Sequence, residues 1–102
     1  SRYRESLVIV KEYNDRSAAA YLLEDIACLA ELRGQAESAL KLMGAAEVLR
    51  QTLGAPRSPA EQKKLQAYLD RAKEKLGPAA DEFLETGRPM KLEQVLAFAA
   101  AL

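Results

Sequence analysis

The residues of this chain that could do chemistry begin with a glycine-containing stretch, LKLMGAAEVLRQTLGAPRSPAEQ, at residues 40–62. Glycines hold a phosphate when they form the loop G-x-x-x-x-G-K-[ST] between a strand and a helix. Here Gly44 and Gly54 are separated by about ten residues, no Gly-Lys pair follows, and no strand pattern precedes them. The spacing therefore predicts two closely packed helices, with Gly44 at their contact and Gly54 as a helix stop.

The other candidate reactive groups are one cysteine and two pairs of adjacent acids. The chain has no histidine, which removes the commonest general base and most zinc sites. Cys28 lies among Leu and Ala, which indicates a small buried side chain. The pairs Glu24-Asp25 and Asp81-Glu82 are neighbours on helices, so their side chains point about 100° apart and do not converge on one ligand. We therefore expect no catalytic residue, no metal and no cofactor.

Size and charge narrow the class of protein further. A chain of 102 residues suits one domain, and its 15 basic and 15 acidic residues balance. The basic residues between 63 and 75 are interrupted by acids and spread around their helix, so no direct binding of nucleic acid is expected. The apolar end VLAFAAAL is too short to span a membrane. A single cysteine fits the cytoplasm, and a start at Ser1 suggests a piece of a longer protein.

The elements that must position these residues are helices. Apolar residues recur at helical spacing through the chain, and Pro and Gly separate the periodic segments. The strongest start signal is Ser58-Pro59-Ala60-Glu61, a capping box with proline at the first helical position. Pro78 is expected to open a short fifth helix, and Lys91 gives the last one no recognisable cap. The sequence predicts an all-α fold of about six helices in antiparallel hairpins.

Residues between 42 and 97 follow a known family pattern at Leu42, Gly44, Ala45, Ala46, Glu47, Leu49, Arg50, Gly54, Pro59, Leu76, Gly77, Phe83, Gly87, Leu92, Glu93, Val95 and Ala97. Residues 3–40 are similar to the repeat that precedes this pattern, so the resemblance covers nearly the whole chain. The chain resembles the C-terminal tails of large bacterial regulators that carry a predicted ATPase module, a tetratricopeptide-like array and often a LuxR-type DNA-binding or adenylate-cyclase domain. The chain differs from that pattern in lacking a Trp soon after Phe83 and in having Lys91 where the family has a Ser or Thr cap.

The resemblance implies a right-handed, tetratricopeptide-like solenoid fragment over residues 1–54 and a C-terminal helical cap of the same domain over residues 55–102. It implies a non-catalytic array that receives a protein partner or a small-molecule effector and continues into upstream repeats of the parent chain. Without those repeats, an exposed repeat face could form a homodimer. The partner-binding groove implied on the second helix is lined by Tyr21, Glu24, Cys28 and Glu31.

Structural roles are expected for Gly44, Glu47, Arg50, Gly54 and Ser58. Glu47 and Arg50 are three residues apart on one predicted helix, and we expect them to form an ion pair. Two functions remain open at this point. The chain is either an interaction or signal-sensing module, or a purely structural cap that closes a solenoid and binds no ligand of its own.

Overall fold

The structure, a computed structural model, describes residues 2–102. Over this range it is all-helical and contains no strand, which confirms the all-α part of the predicted fold class. The tetratricopeptide-like solenoid arrangement stays a prediction. Between the fourth and fifth helices the chain makes a 3-10 turn, Gly77–Ala79, so Pro78 lies before the fifth helix rather than opening it. The α-helices are α1 Arg2–Tyr13, α2 Arg16–Leu32, α3 Ala36–Leu53, α4 Pro59–Leu76, α5 Ala80–Gly87 and α6 Leu92–Ala100.

Local signals account for most helix ends. The Asp15 carboxylate accepts a hydrogen bond from the Ala18 amide at 3.0 Å and caps α2. Gly54 ends α3 with φ +64°, a left-handed conformation that costs glycine no steric strain. Before α6 there is no capping oxygen on Lys91. Instead the Lys91 amide donates to Gln94 Oε1 at 2.9 Å, which is the second half of a capping box.

The core is built around the hairpin of α2 and α3. These two helices make the most extensive contact in the chain, and α4 packs against both of them. Fully buried leucines alternate with alanines that have no exposed surface, so the helices approach closely. Helix α6 contacts α1 as well as α2 and α3, so the last helix lies against the first. One buried cluster therefore draws on both halves of the chain.

Two glycines form the crossing of α3 and α5. A Cβ on Gly44 would overlap the carbonyl oxygen of Leu84, and a Cβ on Gly87 would overlap the carbonyl oxygen of Lys41. The obstacle is helix backbone in both cases, so it cannot move aside as a flexible side chain can. This is the close helix approach that the sequence predicts for Gly44, and Gly87 supplies the matching surface on the other helix.

Candidate functional site

The predicted groove on α2 is covered by α4 in this structure. Glu24, Cys28 and Glu31 keep only 7%, 8% and 1% of their surface exposed, whereas Tyr21 remains half exposed. Helix α4 crosses this face of α2. What remains is a cavity of about 80 Å³, lined in part by Tyr21, Glu24 and Cys28. The four residues do lie along one side of α2, and whether they bind a partner stays a prediction.

Glu24 is the centre of a buried ionic cluster that joins α2, α3 and the loop before α4. Arg50 Nε donates to Glu24 Oε2 at 2.9 Å, and Arg50 Nη2 donates to Glu24 Oε1 at 2.7 Å. Arg57 Nε also donates to Glu24 Oε2. The remaining Arg50 nitrogen, Nη1, donates to the Ala55 carbonyl at 3.1 Å. One carboxylate thus fixes two arginines, and the fork-like pairing of Arg50 sets the register of α2 on α3.

The surroundings of Arg50 favour its charged form. Hydrogen bonding to the Glu24 carboxylate raises the pKa of the Arg50 guanidinium, although burial acts against it. The guanidinium carbon also lies 4.7 Å from the centre of the Tyr21 ring, within range of a cation–π contact. Tyr21 is therefore held at the outer edge of the cluster, where part of its ring stays in contact with solvent.

The expected ion pair between Glu47 and Arg50 is wrong. Arg50 turns toward α2 because the buried Glu24 carboxylate offers it two hydrogen bonds. Glu47 turns toward α5 and pairs with Arg88, whose Nη1 lies 3.3 Å from Glu47 Oε1. A spacing of three residues brings two side chains near each other on one helix, but tertiary partners decide where each one points.

A second buried acid ties α2 to the far end of α4. Lys75 Nζ lies 2.6 Å from Glu31 Oε1, and Arg71 Nε lies 3.9 Å from Glu31 Oε2. Arg71 and Lys75 are four residues apart, so they share one face of α4. From the sequence, both residues belong to the dispersed basic segment between residues 63 and 75, to which no role is assigned. Two cations four residues apart on a helix can pair with one acid, but only the fold identifies that acid as Glu31.

The chemistry available at this site is limited. Burial is the main cause that raises the pKa of the Cys28 thiol, which lowers the fraction of reactive thiolate. Among residues 2–102 no three His, Cys, Asp or Glu side chains are grouped so that they could hold a metal ion. Within the same range no helix is both long and apolar enough to cross a membrane. The arrangement positions helices, and its charged groups pair with one another.

The Ser58 cap gives a prediction about pH. Ser58 donates its amide hydrogen to Glu61 Oε1 at 3.0 Å, and this bond is the main cause that lowers the pKa of Glu61 from 4.5. Because the folded-state pKa is depressed, the stabilising effect is present above pH 4.5 and is lost as the pH falls through the lower folded value. A titration of the Glu61 side-chain carbonyl by NMR should show a midpoint below 4.5.

The matched variants for this titration are Ser58→Ala and Ser38→Ala. Ser58→Ala removes the hydroxyl that accepts from the Glu61 amide and loosens the reciprocal bond, so the Glu61 midpoint should rise. Ser38→Ala alters a serine on α3 that makes no contact with Glu61 and should leave the midpoint unchanged. A wild-type midpoint at or above 4.5 would contradict the cap geometry.

Comparison of the chain with protein-family models, with curated proteins and with solved structures gives no match. The role of this helical domain therefore has to be argued from its own geometry and from the resemblance described above.

Proposed function

We propose that this chain is a non-catalytic, cytoplasmic interaction module of helical-repeat type, at the C-terminal end of a bacterial ATPase-type transcriptional regulator. The observation that carries the proposal is the outer face of α1. Leu7 and Val10 are buried against the domain, yet Val8 and Ile9 keep 55% and 56% of their surface exposed. A helix that is apolar on its inner and its outer side is typical of one that has neighbours on both sides.

The outer face of α1 is defined here by Glu5, Val8, Ile9, Glu12 and Tyr13. Val8, Ile9, Glu12 and Tyr13 follow Glu5 by three, four, seven and eight residues. This spacing places all five on one side of the helix. Two large apolar side chains lie in the middle, an exposed acid lies at each end, and Tyr13 extends the surface. The exposed cations Arg4 and Lys11 border Val8 on the side away from Ile9. Glu5 and Glu12 form no ion pair with the side chains that the structure describes.

This pattern favours one kind of partner, an amphipathic helix whose apolar residues are flanked by Lys or Arg. Such a helix would cover Val8 and Ile9 and neutralise Glu5 and Glu12. A second copy of α1 would bring the same acids against each other in either orientation, which is unfavourable. In the array that the resemblance implies, the partner is a helix of the preceding repeat. The groove first expected on α2 is covered by α4, so the partner surface moves to α1.

The experiment is a titration of the chain with two designed helical peptides. Both carry the same leucines at helical spacing, and these are flanked by lysines in one peptide and by glutamates in the other. We expect the lysine peptide to bind about tenfold more tightly, since two charge pairs distinguish the peptides. Val8→Ser/Ile9→Ser should weaken the binding of both peptides without changing thermal stability much, because these side chains are already exposed in the chain alone.

A charge-reversal variant is the control for non-specific binding. Glu5→Lys/Glu12→Lys should reverse the preference, so that the glutamate peptide binds more tightly. Equal affinities of the two peptides for the wild-type chain would contradict the proposal. Sedimentation of the chain alone should show a monomer. A dimer that Val8→Ser/Ile9→Ser dissociates would instead assign the outer face of α1 to a second copy.

The alternative function is a purely structural cap of a helical solenoid. It is favoured by α6, which contacts α1, α2 and α3 and closes the end of the bundle. Val95, Leu96 and Ala99 are buried by these contacts. If capping is the whole role, substitutions on the outer face of α1 and at Tyr21 leave the regulator's output unchanged, whereas removal of residues 92–102 abolishes it by unfolding the module.

A further inference from the structure

A cavity of about 670 Å³ lies between α3 and α4, away from the outer face of α1. The loop of residues 54–57 closes one end, and Leu84 and Arg88 at the end of α5 close the other. This volume falls in the range of about 300–1,000 Å³ that small-molecule sites occupy. Helix α5, which supplies Leu84 to one wall of the cavity, is held tightly on α3 by the two glycines.

The walls of the cavity divide into an apolar part and a cationic part. Met43 and Leu65 are buried and form the floor, and Leu69 and Leu84 extend it. The charged lining is strongly one-sided. Four cations, Arg50, Arg57, Lys73 and Arg88, line the cavity, and Glu47 is the one acid among its lining residues.

The four cations differ in how strongly acidic side chains already bind them. Arg50 and Arg57 are both engaged by Glu24. Lys73 is half-buried and forms no ion pair with the side chains that the structure describes. Arg88 already pairs with two acids: Nη1 lies 3.3 Å from Glu47 Oε1, Nη2 donates to Glu47 Oε2 at 3.5 Å, and Nε lies 3.1 Å from Glu85 Oε1. Both contacts with Glu47 are long for charge-assisted bonds. An anionic group entering the cavity would therefore meet the Lys73 ammonium and would compete with Glu47 for Arg88.

We propose that this cavity binds a small amphipathic anion: an aryl or acyl molecule that bears a carboxylate, sulfonate or phosphate group. The anionic group lies between Lys73 and Arg88, and the apolar body lies on Met43, Leu69 and Leu84. Gln51 also lines the cavity, and its side-chain amide could bind a polar substituent of the ligand. This site does not depend on the partner proposed for α1, because the two surfaces share no lining residue.

The test uses two fluorescent probes of the same shape. The anionic probe is 8-anilinonaphthalene-1-sulfonate, and the neutral probe is N-phenyl-1-naphthylamine, which lacks the sulfonate. The wild-type chain should bind the anion about tenfold more tightly than the neutral probe, since the sulfonate gains two charge-assisted contacts. Lys73→Gln should reduce that preference to about threefold or less. Lys63→Gln, on the same helix but outside the cavity lining, changes the net charge equally and should leave it unchanged.

The position of the bound probe is read from the NMR shifts of the leucine and valine methyl groups. Binding in the cavity should shift Leu69 and Leu84 and leave Val8 unshifted. The proposal is overturned if both probes bind equally, if Lys73→Gln and Lys63→Gln behave alike, or if the shifts fall on Val8. Absence of binding at millimolar probe concentration overturns it as well. Thermal melting of each variant confirms that the substituted chains are folded.

Discussion

Glu24→Gln should lower the free energy of unfolding by about 3–5 kcal/mol, because it removes the nearest carboxylate to the buried Arg50 and the half-buried Arg57. The Arg50 and Glu24 side chains retain only 6% and 10% of their exposed surface, so solvent cannot replace the lost partner. Arg50 would keep its bond to the Ala55 carbonyl. A glutamine amide has one acceptor oxygen, so it could replace only one of the two hydrogen bonds from Arg50, and its NH2 group would face the guanidinium. Urea denaturation monitored by circular dichroism measures the change.

The cost arises from leaving charges unpaired rather than from a large net value of the pair. Replacing both partners, as in Glu24→Leu/Arg50→Met, should therefore cost less than Glu24→Gln alone. The matched control is Glu47→Gln, which breaks the more exposed pair with Arg88 and should cost no more than about 1 kcal/mol. If Glu24→Gln and Glu47→Gln prove equally mild, the buried cluster does not hold α2 and α3 in register.

Gly87→Ala should lower the free energy of unfolding by about 2–3 kcal/mol through overpacking. The added Cβ would overlap the carbonyl oxygen of Lys41, which belongs to the backbone of α3, so the two helices must separate. Within a helix, alanine is more stabilising than glycine by about 1 kcal/mol. The expected loss is therefore the net cost of overpacking after that gain. Gly44→Ala should behave in the same way, because its Cβ would overlap the carbonyl oxygen of Leu84.

Two comparisons separate this explanation from a general intolerance of substitution. At Gly54 no atom lies within 4 Å of the position of an added Cβ, so Gly54→Ala is limited by its left-handed backbone and should cost about 1–2 kcal/mol. The double variant Gly44→Ala/Gly87→Ala should cost less than the sum of its parts, since the first separation of α3 from α5 makes room for the second methyl group. Wild-type stability of Gly87→Ala would show that the helices do not pack at this distance.

Local chemistry explains why the helix ends and the α3 contact could be predicted from the sequence. Gly54 and Ser58 act within three or four residues of their own positions, so the sequence carries the whole signal. Gly44 costs stability within a helix, and close packing is the usual compensation. Gly87 was noted as part of the family pattern, but its contact with Lys41 depends on where α5 crosses α3.

The charged clusters could not be predicted in the same way. Glu24 and Arg50 are 26 residues apart, and Glu31 and Lys75 are 44 residues apart. Nothing local relates these positions, so the nearer candidate, Glu47, was paired with Arg50. The groove on α2 was predicted from one helix face without knowing that α4 would cover it. The placement of α4 follows from its Arg71 and Lys75 meeting Glu31 and from Leu65 packing into the core.

The central claim is that the outer face of α1 receives a basic amphipathic helix. Amide chemical-shift mapping of the chain with the lysine-flanked peptide tests it most directly. The account predicts that the largest shifts cluster on Glu5, Val8, Ile9 and Glu12, and that Glu5→Lys/Glu12→Lys raises the peptide concentration needed to produce them by about tenfold or more. Shifts centred instead on Leu69 and Leu84, or on Tyr21, would contradict the claim and place the interaction surface on the other side of the domain.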